Sequence, residues 1–430
     1  MVGNVTFNGT DVPEVMTAMK NNPKNADIQW RCFQALGRLA ESEDAKRVAI
    51  ASAGGIPLII QGMQNCMVSA DVQRYGCWAL GNLGINDANE ASIMKAGGMD
   101  AIIAAMRSHP GSSDVQHYGC WAIKIVSYNE NHKRITAEKG AIDVVLAGMR
   151  GHRDNSGVQH QGVRALASIA FNSDNALLVA QAGGIRIILD ALRLHAANAN
   201  IQHIGLMALD NMSLKAENKG PIAEAGGIDV VIQGMKNHVG VADVQHYGCR
   251  ALADIGTNGE NQVIIAKAGG IEAIITAMKS HPSNANVQHQ GCLSLGNISF
   301  NADNKMAVAK AGGIEAVVAA MRNHPSEVNV QQQGCTAIVN IAHRSENKQR
   351  AADSGAIEAV LAAMRGHDSN PNIQKSGCMA LYNIANNSTE LQGKVRSLGA
   401  AVVARKARDN YPTNAQVQKE TKDLLEKLGF

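Results

Sequence analysis

A small set of residue types recurs along the chain at a fixed interval of 43 residues. A Val/Ile-Gln pair, a glycine and a methionine each form a column with this step, and the columns stay in phase. This is the sequence signature of a repeat protein, in which each unit packs against its neighbours. The columns are Gln73, Gln116, Gln159, Gln202, Gln245, Gln288, Gln331 and Gln374; Gly54, Gly97, Gly140, Gly183, Gly226, Gly269, Gly312 and Gly355; and Met63, Met106, Met149, Met235, Met278, Met321 and Met364, with Leu192 in the gap.

Degraded copies flank these repeats at both ends. Met19 and Gln29 lie 44 residues before their first full equivalents, and Gln418 lies 44 residues after the last glutamine. Atypical terminal copies are expected, because an end repeat faces water on one side. The sequence therefore predicts a partial N-terminal repeat over residues 1–41, eight full repeats over 42–385 and a divergent capping repeat over 386–430.

Apolar spacing inside one repeat predicts three helices. In residues 301–342, Asx residues are available as N-caps for the first helix, and a Gly-Gly pair is a stop signal after it. Val330, Cys335 and Ile338 then recur at helical spacing. The glycine column of the third helix, Gly334 here, costs about 1 kcal/mol against alanine, so it predicts a close approach between helices. The predicted spans run from Asn301 to Ala311, from Ile314 to Arg322 and from Asn329 to Ala342.

The third helix carries a family resemblance. Three helices in about 42 residues, the Gly-Gly stop and the run Gly-Cys-Trp-Ala-Leu-Gly-Asn at 76–82 resemble the armadillo repeat of importin-α, β-catenin and vacuolar scaffold proteins. HEAT repeats are the nearest rival, but they use two helices and lack this glycine stop. The resemblance implies an all-α, right-handed armadillo superhelix of three-helix repeats, whose third helices line the concave face.

The resemblance also implies a partner-binding groove. In importin-α-like repeats, a Trp and the Asn four residues later project into the groove, where the Asn holds the backbone of an extended peptide. Trp78 and Asn82 match this pair here, and Trp121 keeps the Trp in the next repeat. The alternative is that the asparagines bond neighbouring helices or water and the tryptophans only pack. The expected groove residues are Trp78, Asn82, Trp121, Arg164, Ser168, Met207, Asn211, Arg250, Asp254, Asn297, Asn340 and Asn383.

Departures from the importin-α pattern change the expected partner. The Trp–Asn pair is complete only once, no long basic segment precedes the repeats, and Arg164 and Arg250 lie where a basic import signal would be repelled. An acidic or mixed extended segment suits these arginines better. We expect a monomeric protein-interaction scaffold of the cytoplasm or nucleus. The alternatives are an importin-α-like transport adaptor, a small-GTPase regulator that engages a folded domain, and a polyanion binder.

Two histidine columns follow the repeat as well. One stands at the turn after the second helix and the other early in the third helix. Three interpretations are open. The histidines could form turn hydrogen bonds that each repeat copies, they could form an edge of the protein whose positive charge grows as histidine protonates, or they could bind a metal ion. Only two histidines per repeat are available, and zinc usually needs four ligands, so we expect no metal site. The columns are His109, His152, His195, His238, His281, His324 and His367, and His117, His160, His203, His246 and His289.

Composition limits the kinds of core, partner and cellular compartment that we expect. Only 3% of residues are aromatic against 45% hydrophobic, so aliphatic residues, Ala, Met and Cys must fill the core. A net charge of +3 gives no global field, and we do not expect nucleic acid as a partner. No apolar stretch of about 18 residues or more and no secretory signal occur, so we expect no membrane insertion. Six of the eight cysteines follow the 43-residue spacing, which favours buried thiols over disulfides and a reducing compartment.

Catalytic motifs are missing from the sequence. It has no Walker lysine motif, Gly-x-Ser-x-Gly elbow or His-Glu-x-x-His. Repeated cysteines and histidines fit structure, because a nucleophile needs one asymmetric environment. We therefore expect no enzyme, no catalytic residues and no cofactor.

Overall fold

A computed structural model describes residues 11–430, which fold into 29 α-helices and no β-strand. This confirms the all-α prediction. Nine-residue, eleven-residue and longer helices recur in that order along the chain. The chain divides into two compact units: unit 1 ends at Asn218, and unit 2 spans Lys219–Phe430.

Apart from α1, the helices fall into three length classes. Helix α1 spans Val12–Asn21. The nine-residue helices are α3 (Asp44–Ser52), α6 (Asp87–Lys95), α9 (Glu130–Glu138), α12 (Ser173–Gln181), α15 (Ala216–Glu224), α18 (Gly259–Lys267), α21 (Ala302–Lys310), α24 (Ser345–Asp353) and α27 (Thr389–Ser397). The eleven-residue helices are α4 (Gly55–Asn65), α7 (Gly98–Ser108), α10 (Ala141–Gly151), α13 (Gly184–Leu194), α16 (Gly227–Asn237), α19 (Gly270–Ser280), α22 (Gly313–Asn323), α25 (Ala356–Gly366) and α28 (Ala400–Asn410). The long helices are α2 (Ala26–Ser42), α5 (Ala70–Leu83), α8 (Ser113–Val126), α11 (Ser156–Ile169), α14 (Ala199–Ser213), α17 (Ala242–Ile255), α20 (Ala285–Ile298), α23 (Val328–Ala342), α26 (Pro371–Ala385) and α29 (Ala415–Leu428).

Local sequence signals set these boundaries. In the repeat at 301–342, all three helices lie within one residue of the predicted spans. The side chain of Asn301 caps α21 by accepting hydrogen bonds from the N–H groups of Asp303 and Asn304, at 3.0 and 3.1 Å. Gly312 then has φ 91°, a left-handed conformation that glycine adopts without a Cβ penalty, so the chain turns directly into α22.

The glutamine column has a structural role, which we call the glutamine clip. Each of these side chains donates both Nε2 hydrogens to backbone carbonyls seven and ten residues earlier, at the end of the preceding helix. Gln288, which is 2% exposed, bonds the oxygens of His281 at 2.9 Å and Met278 at 2.7 Å. Carbonyls that the helix end leaves without an intrahelical donor are therefore satisfied inside the protein. The clip recurs at Gln29, Gln73, Gln116, Gln159, Gln202, Gln245, Gln288, Gln331, Gln374 and Gln418.

The glycine and methionine columns meet in the core. A Cβ added at Gly334 of α23 would lie 2.5 Å from Cγ and 2.7 Å from Sδ of Met321, a buried residue of α22. The same close approach recurs between Gly377 and Met364. The predicted close packing of helices at this glycine is confirmed.

Within each unit, successive long helices pack side by side. Helices α2, α5, α8, α11 and α14 form this series in unit 1, and α17, α20, α23, α26 and α29 form it in unit 2. Buried asparagines of the nine-residue helices tie the repeats together. Asn304 donates from Nδ2 to the oxygen of Ile298, at 3.2 Å, and to the oxygen of Gln262 one repeat earlier, at 2.9 Å. The packing of consecutive helices is that of a repeat protein.

All eight cysteines are buried and unpaired. Burial raises the pKa of the Cys120 and Cys249 thiols to about 12, so neither forms a thiolate near neutral pH. They behave as small apolar core residues, as the repeat spacing predicts.

Alanine substitutions at two glycines of unit 2 are expected to have opposite effects. Gly334→Ala forces a methyl group against Met321, and we expect it to lower the free energy of unfolding by about 1–2 kcal/mol. Gly393→Ala lies within α27 with no atom near the added Cβ, so we expect it to raise stability by up to about 1 kcal/mol. Urea unfolding followed by circular dichroism measures both changes, and a stabilising Gly334→Ala would contradict the close-packing explanation.

Candidate partner-binding face on the long helices

The structure places all twelve predicted groove residues on long helices. Ten are half-buried, and two, Asn82 and Asn211, are buried. Those of unit 1 lie on four successive long helices, as do those of unit 2. They are Trp78, Asn82, Trp121, Arg164, Ser168, Met207 and Asn211 in unit 1, and Arg250, Asp254, Asn297, Asn340 and Asn383 in unit 2.

The asparagine column bonds the preceding long helix. Asn297 donates from Nδ2 to the carbonyl oxygen of Ala253 at 3.0 Å, and Asn340 bonds the oxygen of Gly296 in the same way. Equivalent bonds run from Asn82 to Gly37, from Asn211 to Ala167 and from Asn383 to Val339. Each bond uses one of the two Nδ2 hydrogens. These asparagines therefore hold neighbouring helices together. That they also hydrogen-bond the backbone of an extended partner stays a prediction.

The two predicted tryptophans lie over glycines of the preceding long helix. A Cβ at Gly37 would lie 2.5 Å from the ring of Trp78, and Gly81 stands in the same relation to Trp121. Both rings are half-buried, so part of each faces solvent. Glycine is needed at these two positions because any side chain would displace the indole.

Aromatic residues that the sequence prediction missed extend this surface. The rings of Trp30 and Tyr75 stack with centroids 5.5 Å apart, and Tyr75 meets Trp78 edge to face at 6.2 Å. The guanidinium of Arg74 lies 4.8 Å from the Tyr75 ring centroid and 2.9 Å from a carboxylate oxygen of Asp114. Trp30 stands outside the tryptophan column, so the repeat spacing does not mark it, although all three tryptophans lie in the first 121 residues.

A row of basic side chains crosses the long helices of unit 1. We call His117, Lys124, His160 and Arg164 the cationic row. Burial, and then the charge of Arg164, lower the pKa of the Lys124 ammonium below its ordinary value. Burial lowers the pKa of His160 as well, and nearby Arg164, His117 and His203 add to the effect.

The cationic row has few acidic neighbours in the described part of the chain. None of the ion pairs formed within residues 11–430 involves Lys124, His160 or Arg164. Asp114 is the one carboxylate that acts on His117, and it pairs with Arg74. Like charges gathered on a half-buried surface repel one another, and clusters with perturbed pKa values are candidate functional sites.

Removing the Arg164 charge is expected to raise the pKa of His160. Arg164→Gln takes away a cation one helical turn from the imidazole, so the pKa should move toward its ordinary value. A titration of the His160 ring protons by NMR measures this change. Arg134→Gln on α9, which removes an exposed arginine outside the long helices, is the control and should leave the His160 pKa unchanged. An unchanged pKa in Arg164→Gln would show that the charges do not interact.

Unit 2 brings two predicted groove residues to one cavity. Asn340 and Asn383 line a cavity of about 460 Å³ together with Phe300, Met379 and Tyr382. Lys305, His343 and Lys419 add positive or titratable groups, and Glu420 and Asp423 add negative ones; the lining also includes Val339. Burial and the charge of Arg344 lower the pKa of Lys305, whereas Glu420 raises the pKa of Lys419. The cavity shows that Phe300, two residues after the end of α20, shares a surface with the asparagine column.

The two histidine columns differ in role. Histidines at the turns place Nε2 2.7–2.8 Å from a carbonyl oxygen 42 residues earlier, as His324 does with Pro282. These are the turn hydrogen bonds that the structural interpretation predicts, and they link one repeat to the next. In the second column, burial is the first cause that lowers the pKa of His117, His160 and His289. That column lies on the long helices with the cationic row.

The described part of the chain contains no candidate metal site and no helix suited to span a membrane. No cluster of three or more His, Cys, Asp or Glu side chains within residues 11–430 is arranged to hold a metal ion. No helix over the same residues combines the length and apolar character that crossing a bilayer requires.

Solved structures resemble this fold. A crystal structure described as an engineered protein, from the Northeast Structural Genomics Consortium, matches 98% of this chain and 100% of its own with a TM-score of 0.85 at 24% identity. A second engineered protein from the same consortium matches 57% of this chain and 96% of its own, with a TM-score of 0.51 at 26% identity. No protein-family model and no curated protein matches the chain. The likeness shows an all-helical, solenoid-like repeat fold.

Proposed function

We propose that the protein is an armadillo-type scaffold that binds extended segments of partner proteins along its long helices. The recurring nine-residue, eleven-residue and long helices, with a left-handed glycine between the first two, support the finer assignment to a right-handed armadillo superhelix. Long helices that pack in series present one face of side chains repeat after repeat. Such faces suit partners that are themselves linear, and we propose that the protein acts as a monomer in the cytoplasm or nucleus without a cofactor.

The positive charge of the cationic row is the observation that determines which partner we favour. Lys124 and Arg164 repel each other on a half-buried surface where no described carboxylate pairs with them. An acidic segment would relieve this repulsion, whereas a basic import signal would add to it. We therefore favour a partner rich in carboxylates over the cargo of an importin-α-like adaptor.

Two peptides of opposite charge test this function. We expect a glutamate-rich extended peptide to bind the full chain, and a lysine-rich peptide of the same length to bind much more weakly, in fluorescence anisotropy at constant salt. Tighter binding of the lysine-rich peptide would favour the import adaptor. A steep salt dependence shared by every polyanion, including nucleic acid, would favour the polyanion binder.

Binding of the acidic peptide is expected to tighten as the pH falls from about 7.5 to 6. Burial and neighbouring cations depress the pKa of His117 and His160 in the free protein, so both are largely neutral at pH 7. Bound carboxylates raise those pKa values, so protons are taken up on binding and lower pH favours the complex. Each histidine pKa that rises by one unit is worth up to about tenfold in affinity. A His117→Gln/His160→Gln variant should lose most of this pH dependence, and a pH response that persists in it would assign the effect elsewhere.

A further inference from the structure

A second row of side chains follows the long helices of unit 1. Ile85, Tyr128, Phe171 and Leu214 each stand in the turn just after a long helix and are separated by steps of 43 residues. They are 46%, 68%, 61% and 51% exposed. We call them the apolar row. Single exposed apolar residues are ordinary, but large apolar side chains in register on successive repeats form a patch, and such patches mark interaction sites.

The apolar row follows the same long helices as the cationic row. His160 and Arg164 lie one turn apart on α11, and Phe171 stands in the turn two residues after that helix ends. Lys124 lies in the last turn of α8, and Tyr128 stands two residues after that helix ends. In unit 2, Phe300 lines one cavity with Val339 and Met379, which stand five repeats after Lys124 and Arg164, so the two rows meet on one surface there.

We infer that unit 1 binds a segment in which acidic and large apolar side chains repeat about every third residue. This inference rests on the proposed function and names the partner more closely. Its carboxylates would lie along the cationic row and its apolar side chains along the apolar row. Unit 2 has Thr257, Phe300, His343 and Asn386 at the equivalent positions, so only one of them is apolar.

The spacing of the helices sets the period of three. Packed helices lie about 8–10 Å apart. A polyproline II chain rises about 3.1 Å per residue with three residues per turn, so it advances about 9.3 Å each turn. Every third side chain would therefore meet the next long helix. A β-strand, whose side chains repeat every two residues, would drift out of step with the helices.

Nearby acidic groups of unit 1 are already engaged. Asp114 pairs with Arg74, and Asp174 pairs with Lys215. Glu130 pairs with Lys133, whose ammonium lies 4.5 Å from the Phe171 ring centroid. These carboxylates are matched by their own cations, so the partner's carboxylates would meet a positive surface on α8 and α11.

Three peptides of about fifteen residues, long enough to cross four long helices, test the inference. One repeats Glu-Leu-Ser. The second has the same composition with all the leucines at one end, and the third has serine at every leucine position. We expect the Glu-Leu-Ser repeat to bind the full chain about tenfold more tightly than either of the others in fluorescence anisotropy.

Matched variants locate the binding. Tyr128→Ser/Phe171→Ser should reduce the affinity for the Glu-Leu-Ser repeat to that for the serine peptide and leave the serine peptide unaffected. Val402→Ser, which removes a 70% exposed apolar side chain of unit 2 on α28, outside the long helices, should change neither affinity. Circular dichroism checks that all variants keep their helix content, as expected for exposed positions.

The outcomes of these measurements decide whether the inference stands. The expected pattern supports it. Equal binding of all three peptides, or an equal loss of affinity in Val402→Ser, overturns it while the proposed function stands. Binding of none of the peptides overturns both. Self-association that Tyr128→Ser/Phe171→Ser abolishes, measured by sedimentation velocity, would also overturn it by assigning the apolar row to a second copy of the chain.

Discussion

Gln288→Met is expected to lower the free energy of unfolding of unit 2 by about 2–4 kcal/mol, because it removes both hydrogen bonds of one glutamine clip. Methionine has nearly the volume of glutamine and fills the same space, so the change tests the donor and not the packing. The carbonyl oxygen of Met278 would then lose its buried donor, whereas that of His281 still accepts from the N–H of Asn284 at 3.1 Å. An unsatisfied buried acceptor costs about 1–3 kcal/mol, and the lost bond to His281 adds about 1 kcal/mol.

The same substitution at a neighbouring surface serves as the control. Gln332 stands one residue after a clip, on the half-buried face of α23, and Gln332→Met should change stability by less than about 0.5 kcal/mol. Because repeat proteins do not always unfold in one step, amide hydrogen exchange should accompany the urea titration. Faster exchange confined to α19 and α20 supports the clip. Equal stability of Gln288→Met and Gln332→Met would show that it contributes nothing.

Reversing two charges of the cationic row is expected to reduce the affinity for an acidic peptide at least about a hundredfold, since like charges brought together at an interface cost several kcal/mol. Lys124→Glu/Arg164→Glu replaces a pair in which burial, and then the charge of Arg164, lower the pKa of Lys124. The free protein should not lose stability, because the new carboxylates lie among His117 and His160 and relieve a positive cluster. Lost binding with retained stability is typical of a functional site.

A control with the same change in net charge separates this local effect from the overall field. Lys20 and Lys24 are exposed and lie outside the long helices. Lys20→Glu/Lys24→Glu should therefore weaken binding by no more than about threefold at physiological salt, where the Debye length is about 8 Å. If both double variants weaken binding equally, the cationic row is not the binding site and the attraction is a property of the whole surface.

Repetition made the fold predictable from the sequence. Helix bounds around Asn301 and Gly312 follow from caps and stops that lie within a few residues of each other, so they need no knowledge of distant contacts. The close approach at Gly334 is also visible, because glycine in a helix needs a reason. The glutamine column is equally visible, but its bonds depend on how one helix end meets the next helix, which spacing alone does not give.

The candidate site was predictable only in part. The sequence marks the asparagine and tryptophan columns, yet not that Asn297 and Asn340 bond the preceding helix. Trp30 lies outside the columns, and its stacking on Tyr75 depends on the packing of α2 against α5. Phe171 belongs to a column that holds Thr257 and His343 in other repeats, and only the folded chain shows that its ring is 61% exposed.

Hydrogen bonds between repeats reach back by nearly one period. His324 meets Pro282, 42 residues earlier, and Asn340 meets Gly296, 44 residues earlier. The donors of these bonds find their acceptors in the adjoining repeat. Excision or duplication of 43 consecutive residues, or of a multiple of 43, would present each of them with an equivalent acceptor, whereas a gain or loss of another length would not. The number of repeats can therefore change while the hydrogen bonds between repeats are kept. The length of the proposed binding face would change with it, one whole repeat at a time.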